Sequence, residues 1–188
     1  LLTNLSGLKN VSQLSFGLTV TNNPVLTDCS GLCQLLNNIG GSITISGNPA
    51  PCDNQTNLEE DCTPPPANDD CENAINLVVN PSNDCTSQVS GTTIAATESL
   101  SGCNFETDPI KDVWYSFTAT QNVHKVKISN LIPQTGNFGS VLVEIFSGGC
   151  NSLSSVSQCQ RFFDGETYYF TGLSANTDYQ LRVYTDLL

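Results

Sequence analysis

Apolar positions recur along this chain on two different rhythms. Over the first sixty residues they come in repeated blocks. "LTVTNNP" (Leu18–Pro24) and "ITISGNP" (Ile43–Pro49) share an apolar-x-apolar-x-x-Asn order at an offset of 25 residues. Leu18, Val20 and Asn23 stand over Ile43, Ile45 and Asn48. The alternation predicts a short strand with one buried face in each block. The asparagine is expected to turn inward, where its amide satisfies backbone groups at the turn. "LTNLSGL" (Leu2–Leu8) and "LTDCSGLC" (Leu26–Cys33) align in the same way, with Cys29 replacing Leu5.

A period of 24 to 25 residues with this signature is the leucine-rich-repeat pattern. One repeat cannot bury its own apolar face, so neighbours must stack. About two repeats are visible and the chain opens mid-repeat at Leu1, which predicts further repeats upstream. Cys29 and Cys33 lie one helical turn apart on a short helix expected over Cys29–Asn37. Cys52 and Cys62 follow the last strand. The segment reads as a terminal cap stapled by two disulfides. The favoured pairing is Cys29 with Cys52 and Cys33 with Cys62, with the crossed pairing as the alternative. Each bridge is expected to contribute about 2–4 kcal/mol. Leu1 to Cys62 resembles the end of leucine-rich-repeat regions in secreted and surface proteins of the Bacteroidota. Those show two cysteines on the helix side, an Ile-x-Ile-x-x-Asn strand, then two cysteines around an acidic segment.

"TPPPAND" (Thr63–Asp69) marks a boundary, because three consecutive prolines favour a stiff extended segment. The expected organisation is residues 1–62 as repeats and cap, 63–67 as a proline linker and 68–188 as a second domain. Beyond the linker the rhythm is strict alternation in short runs. Strands are predicted near Ala74–Val79, Ser87–Ala95, Asp112–Thr118, Lys125–Leu131, Ser140–Phe146, Thr167–Thr171 and Tyr179–Tyr184. Turn residues separate them, and seven short strands at this spacing predict an antiparallel, jelly-roll-like β-sandwich. The fold class expected for the whole chain is mainly β: the end of a solenoid joined to a sandwich.

"ANDDCENAINL", "KDVWYSFTA", "FSGGCNSLSSVSQC" and "LSANTDYQLRVYT" follow one another in that order. Together they resemble a secreted β-sandwich of Bacteroidota surface proteins, itself similar to the bacterial pre-peptidase C-terminal domain. The resemblance spans residues 68–186. It implies an accessory module that binds polysaccharide or insoluble protein in some members. It also implies a calcium site, with ligands at Asn68, Asp69, Asp70, Asp108 and Asp112. Calcium takes six to eight oxygens from carboxylates and carbonyls, and a linker and a strand end are places where loops converge. This chain carries prolines where the family often has glutamates upstream of the Asn-Asp pair.

Composition narrows the setting. The nine cysteines are spread without tight pairs and accompany a single histidine, which favours disulfides over zinc and an oxidising compartment. In the second domain Cys150 is expected to pair with Cys159 and Cys85 with Cys103, leaving one thiol over. Eighteen acidic residues against six basic ones, a net charge of -12, make nucleic acid a poor partner. The absence of methionine points to a processed product or a fragment, and no apolar run is long enough to span a bilayer.

No catalytic constellation is legible. His124 stands alone, and no Gly-x-Ser-x-Gly elbow or Gly-rich phosphate loop occurs. Trp114 reads as core rather than as a sugar platform, and Tyr169 as the surface aromatic of its strand. The expected function is a non-catalytic binding or adhesion segment of a larger surface or secreted protein. Its partner would be an extracellular glycan, a protein or a neighbouring copy. The alternatives are accessory domains of a secreted hydrolase, or a filament subunit that pairs through an edge strand ending "YQLRVYTDLL".

Overall fold

The computed structural model describes residues 2–103, 110–133 and 139–185. The chain divides into two compact units, Leu1–Pro64 and Pro65–Leu188.

In the first unit the two alternating blocks form β1 (Leu18–Thr21) and β2 (Ile43–Ser46). They pair in parallel, Leu18 with Ile43 through Thr21 with Ser46, so the ladder partner of each residue lies 25 positions away. Isolated parallel bridges, Asn4 with Asp28 and Leu14 with Ile39, continue the stacking on either side. Val20, Leu26, Leu32, Leu35, Ile45 and Leu58 fill the space between the stacked turns. Asn48 closes the end of the ladder. Its Oδ1 accepts from the Asn23 backbone N–H (3.0 Å) and amide (3.2 Å). Its Nδ2 donates to the carbonyls of Val20 (3.0 Å) and Cys52 (2.8 Å). The helix expected over Cys29–Asn37 is instead a single 3-10 turn, Ser30–Leu32, followed by irregular turns. Gly31 explains the tight packing there: a Cβ at this position would lie 1.9 Å from the Leu5 carbonyl oxygen. A helix absent from the sequence reading, α1 (Gln55–Asp61), starts at Asn54, whose side chain accepts from the Asn57 N–H. Disulfides join Cys29 to Cys52 and Cys33 to Cys62.

The second unit is built on a six-stranded sheet. It contains β3 (Ile75–Asn76), β4 (Asp112–Ala119), β6 (Ser140–Ser147), β7 (Ser154–Ser155), β8 (Gln160–Phe163) and β10 (Thr177–Thr185). The order is β3-β4-β10-β6-β7, with β8 also on β6, and all pairs but β3–β4 are antiparallel. β5 (Val123–Lys127) and β9 (Thr167–Thr171) form a separate two-stranded sheet. Its Phe170 and Val126 pack on Val113, Tyr115, Val143, Ile145 and Leu181, giving a two-layer core. No strand forms within Ser87–Ala95, contrary to expectation. The expected strand at Ala74–Val79 shortens to Ile75–Asn76.

The six-stranded sheet is covered on its other face as well. Trp114 and Phe146 pack there with Cys71, and Leu142 and Tyr184 with Ile110. Two disulfides lie on that face, Cys71–Cys150 and Cys103–Cys159. The expected pairs Cys150–Cys159 and Cys85–Cys103 do not form, and Cys85 is the free thiol. Cys150 sits beside Trp114 and Phe146 with Cys71, whereas Cys159 sits beside Tyr184 with Cys103. The two cysteines that flank one loop thus belong to different parts of the face. The segment Tyr179–Tyr184 is likewise no edge strand: β10 lies between β4 and β6 and both its edges are paired.

Candidate functional site

The residues singled out for calcium lie at the entrance to the second unit and at the start of β4. Asn68 is buried and sews the entrance to β4. Its Nδ2 donates to the Trp114 carbonyl (2.9 Å), and its own carbonyl accepts the Trp114 N–H (2.8 Å). The Asp69 carboxylate accepts from the Thr97 N–H (2.7 Å) and hydroxyl (2.8 Å). Asp112 is fully buried and accepts from the Ser99 hydroxyl (2.7 Å), the Ser99 N–H (3.2 Å) and the Arg182 guanidinium. Asp70 is exposed, and Asp108 lies outside the described residues. The described members of the set therefore do not fit a shared calcium. The carboxylate oxygens of Asp69 and Asp112 are aimed at separate protein donors, and at Asp112 one donor already carries positive charge. Both carboxylates hold the segment 97–99 against the sheet. The sulfurs of Cys103 and Cys159 come close to the Glu144 carboxylate. They are bonded to each other, so neither is a thiolate ligand.

A groove of about 230 Å³ runs along β9. Tyr168, Tyr169 and Thr171 line it together with Ser157, Gln158 and Gln160. Among the described residues β9 pairs only with β5, which leaves its other edge beside the groove. Alternation along the strand decides which rings are held. Phe170 is buried and stacks on Phe162 (6.5 Å), and Tyr168 meets both rings edge-on. Tyr169 points to the opposite face and is 55% exposed, against 41% for Tyr168. Register sets Lys125 opposite Tyr169 and Lys127 opposite Thr167, and the Lys125 ammonium donates to the Asn83 carbonyl. The groove combines apolar ring faces with amide and hydroxyl groups, and no carboxylate lines it.

Trp114 is fully buried, and its Nε1 donates to Ser99 Oγ (2.9 Å), which rules it out as a surface platform. His124 caps the turn between β4 and β5: its Nε2 accepts from the N–H groups of Thr120 (3.0 Å) and Gln121 (3.2 Å). Burial lowers its pKa below the ordinary histidine value. The sequence reading missed the ion cluster of Arg182, Asp112 and Glu144. The signal was present. Each is a charge set against apolar neighbours in a strand, as in "DVWY", "VLVEIF" and "LRVY". Such residues are seldom buried unless they pair.

No described helix is long and apolar enough to cross a membrane. Four disulfides fit a secreted or cell-surface protein. No curated protein and no solved structure matches the chain. Residues 67–187, which span the whole β4–β10 framework and the β9 groove, match the model of a galactose-binding domain-like family associated with the T9SS, a Bacteroidota secretion system. On that match the chain belongs to the T9SS-associated galactose-binding domain-like family.

Proposed function

We propose that the second unit is a non-catalytic glycan-binding module of a secreted or cell-surface protein, and that the groove beside β9 is its binding site. The observation that carries this reading is the exposed Tyr169 ring in a groove that Gln158 and Gln160 also line. A sugar ring presents a C–H face that packs on an aromatic ring, and a rim of hydroxyls that amides bind. The first unit is read as the capped end of a leucine-rich-repeat array, with an adhesive role beside the module. The 25-residue parallel register and the Asn48 closure support that assignment. The accessory-domain role within a longer hydrolase rests on the same family membership and shares the same site.

The test is affinity electrophoresis of the full chain through a panel of polysaccharides, neutral ones and uronate-bearing ones. Retardation by at least one glycan is expected. Tyr169→Ala should weaken it about tenfold, roughly 1.4 kcal/mol, and leave the melting midpoint unchanged because the ring is largely exposed. No retardation by any glycan, or full retardation of Tyr169→Ala, would sink the reading.

A further inference from the structure

Arg182 lies near the centre of β10 with no exposed surface. A buried guanidinium is tolerable only when its donors are matched. All of its nitrogens are engaged. Nε and Nη2 donate to Asp112 Oδ2 at 2.8 and 2.5 Å. Nη1 donates to Glu144 Oε2 at 3.2 Å and to the Ser101 carbonyl at 3.1 Å. Nη2 also donates to the Leu100 carbonyl. The Tyr184 ring covers the guanidinium carbon at 4.5 Å. Strand register produces this convergence: Arg182 is the direct partner of Glu144 on β6 and the diagonal neighbour of Asp112 on β4.

Two carboxylates and two backbone carbonyls converge here, four oxygens of the kind a hard divalent cation takes in sets of six to eight. Their meeting point is filled by a side chain. One positive charge faces two negative ones. The Ser99 N–H and hydroxyl meet the remaining demand of Asp112, and Glu144 keeps a little solvent contact. We propose that this oxygen cage is a cation site whose permanent occupant is Arg182. The segment 99–101 is thereby pinned to the sheet without calcium. A divalent ion entering the same cage would meet the guanidinium, so this cage, and with it the anchorage of the segment 99–101, is built to be indifferent to calcium and to chelators. The resemblance that suggested calcium ligands thus corresponds, at Asp112, to an internal ion pair.

Trp114, the only tryptophan of the chain, has its ring 6.0 Å from the guanidinium carbon and reports on the cage directly. Thermal unfolding of the full chain is followed by its fluorescence in millimolar EDTA and in millimolar calcium. The two midpoints are expected to coincide within about 1 °C. A midpoint that falls in EDTA and recovers with calcium overturns the proposal. Terbium, a calcium surrogate excited through a nearby tryptophan, supplies a second readout. The wild type is expected to stay dark, and emission that calcium quenches overturns the proposal. Arg182→Ala leaves the oxygens facing one another. Its midpoint should drop by about 10 °C or more, and terbium should both raise that midpoint and light up. A folded Arg182→Ala that remains dark overturns the cage. Should that variant fail to fold, the two wild-type measurements still decide.

Discussion

The two units close their interiors with polar side chains in opposite ways. In the first, Asn48 takes up backbone groups of Val20, Asn23 and Cys52, and its partners on β1 lie about one repeat away. In the second, Arg182 meets groups 38 to 82 residues away in sequence. The disulfides follow the same division, with separations of 23 and 29 residues in the first unit and 79 and 56 in the second. A stacked repeat makes each layer of contacts from the layer before it. A permuted sheet makes them from strands that are distant in the chain. The difference predicts that the repeat unit tolerates loss of one cross-link better than the sheet does.

The largest expected effect tests that contrast through the cross-links. Replacing Cys71 and Cys150 together by alanine should cost about 2–4 kcal/mol. Loop-closure entropy makes that loss about 1 kcal/mol greater than for the Cys29, Cys52 double variant, because the closed loop is longer. Urea unfolding of both variants, with Trp114 reporting the second unit and far-ultraviolet circular dichroism the first, measures the difference. Equal losses would remove loop length as the cause.

A smaller effect separates the two layers of the first unit. Gly31 and Gly7 occupy the same place in the repeat. A Cβ at Gly31 meets the Leu5 backbone, whereas one at Gly7 meets nothing within 4 Å. Gly31→Ala should cost about 1–3 kcal/mol by overpacking. Gly7→Ala should be neutral or stabilise by up to about 1 kcal/mol through the unfolded chain. Similar melting midpoints for the two variants would show that the close approach is not limiting.

The smallest expected effect is electrostatic and confined to the second unit. Burial holds the folded-state pKa of His124 below its ordinary value. Between the two values the unfolded chain binds more protons than the folded one. The neutral imidazole's contribution is therefore complete well above about pH 6.5 and is lost as pH falls from there through the lower folded-state value. Wild-type stability should decline slightly from about pH 7 to about pH 5, and His124→Gln should flatten that slope. An unchanged slope would assign the pH dependence to other groups.

Legibility tracks the range of the interactions. The strands of the first unit and the inward asparagine were readable because the repeat displays each contact twice, one period apart. The expected helix at Cys29–Asn37 was not, because the close approach of Gly31 to Leu5 belongs to the stacked state alone. In the second unit alternation located β4, β6, β9 and most of β10, and it singled out Tyr169 as the outward ring. It also suggested a strand at Ser87–Ala95 that the sheet does not recruit, since alternation records amphipathicity and not whether a partner edge exists. β7 and β8 escaped notice because strands of two and four residues are too short to show alternation and owe their conformation to β6 beside them.

By itself, the amino-acid sequence determined a mainly β chain for an oxidising setting, with a repeat before the prolines and alternating strands after them. Those properties depend on composition and on contacts one period or one strand long. Only the tertiary structure decided the cysteine partners of the second unit, the central place of β10, the groove beside Tyr169 and the occupant of the Asp112–Glu144 cage. Each follows from strand order and register, which bring together residues from far apart in the chain, and no local pattern encodes that order.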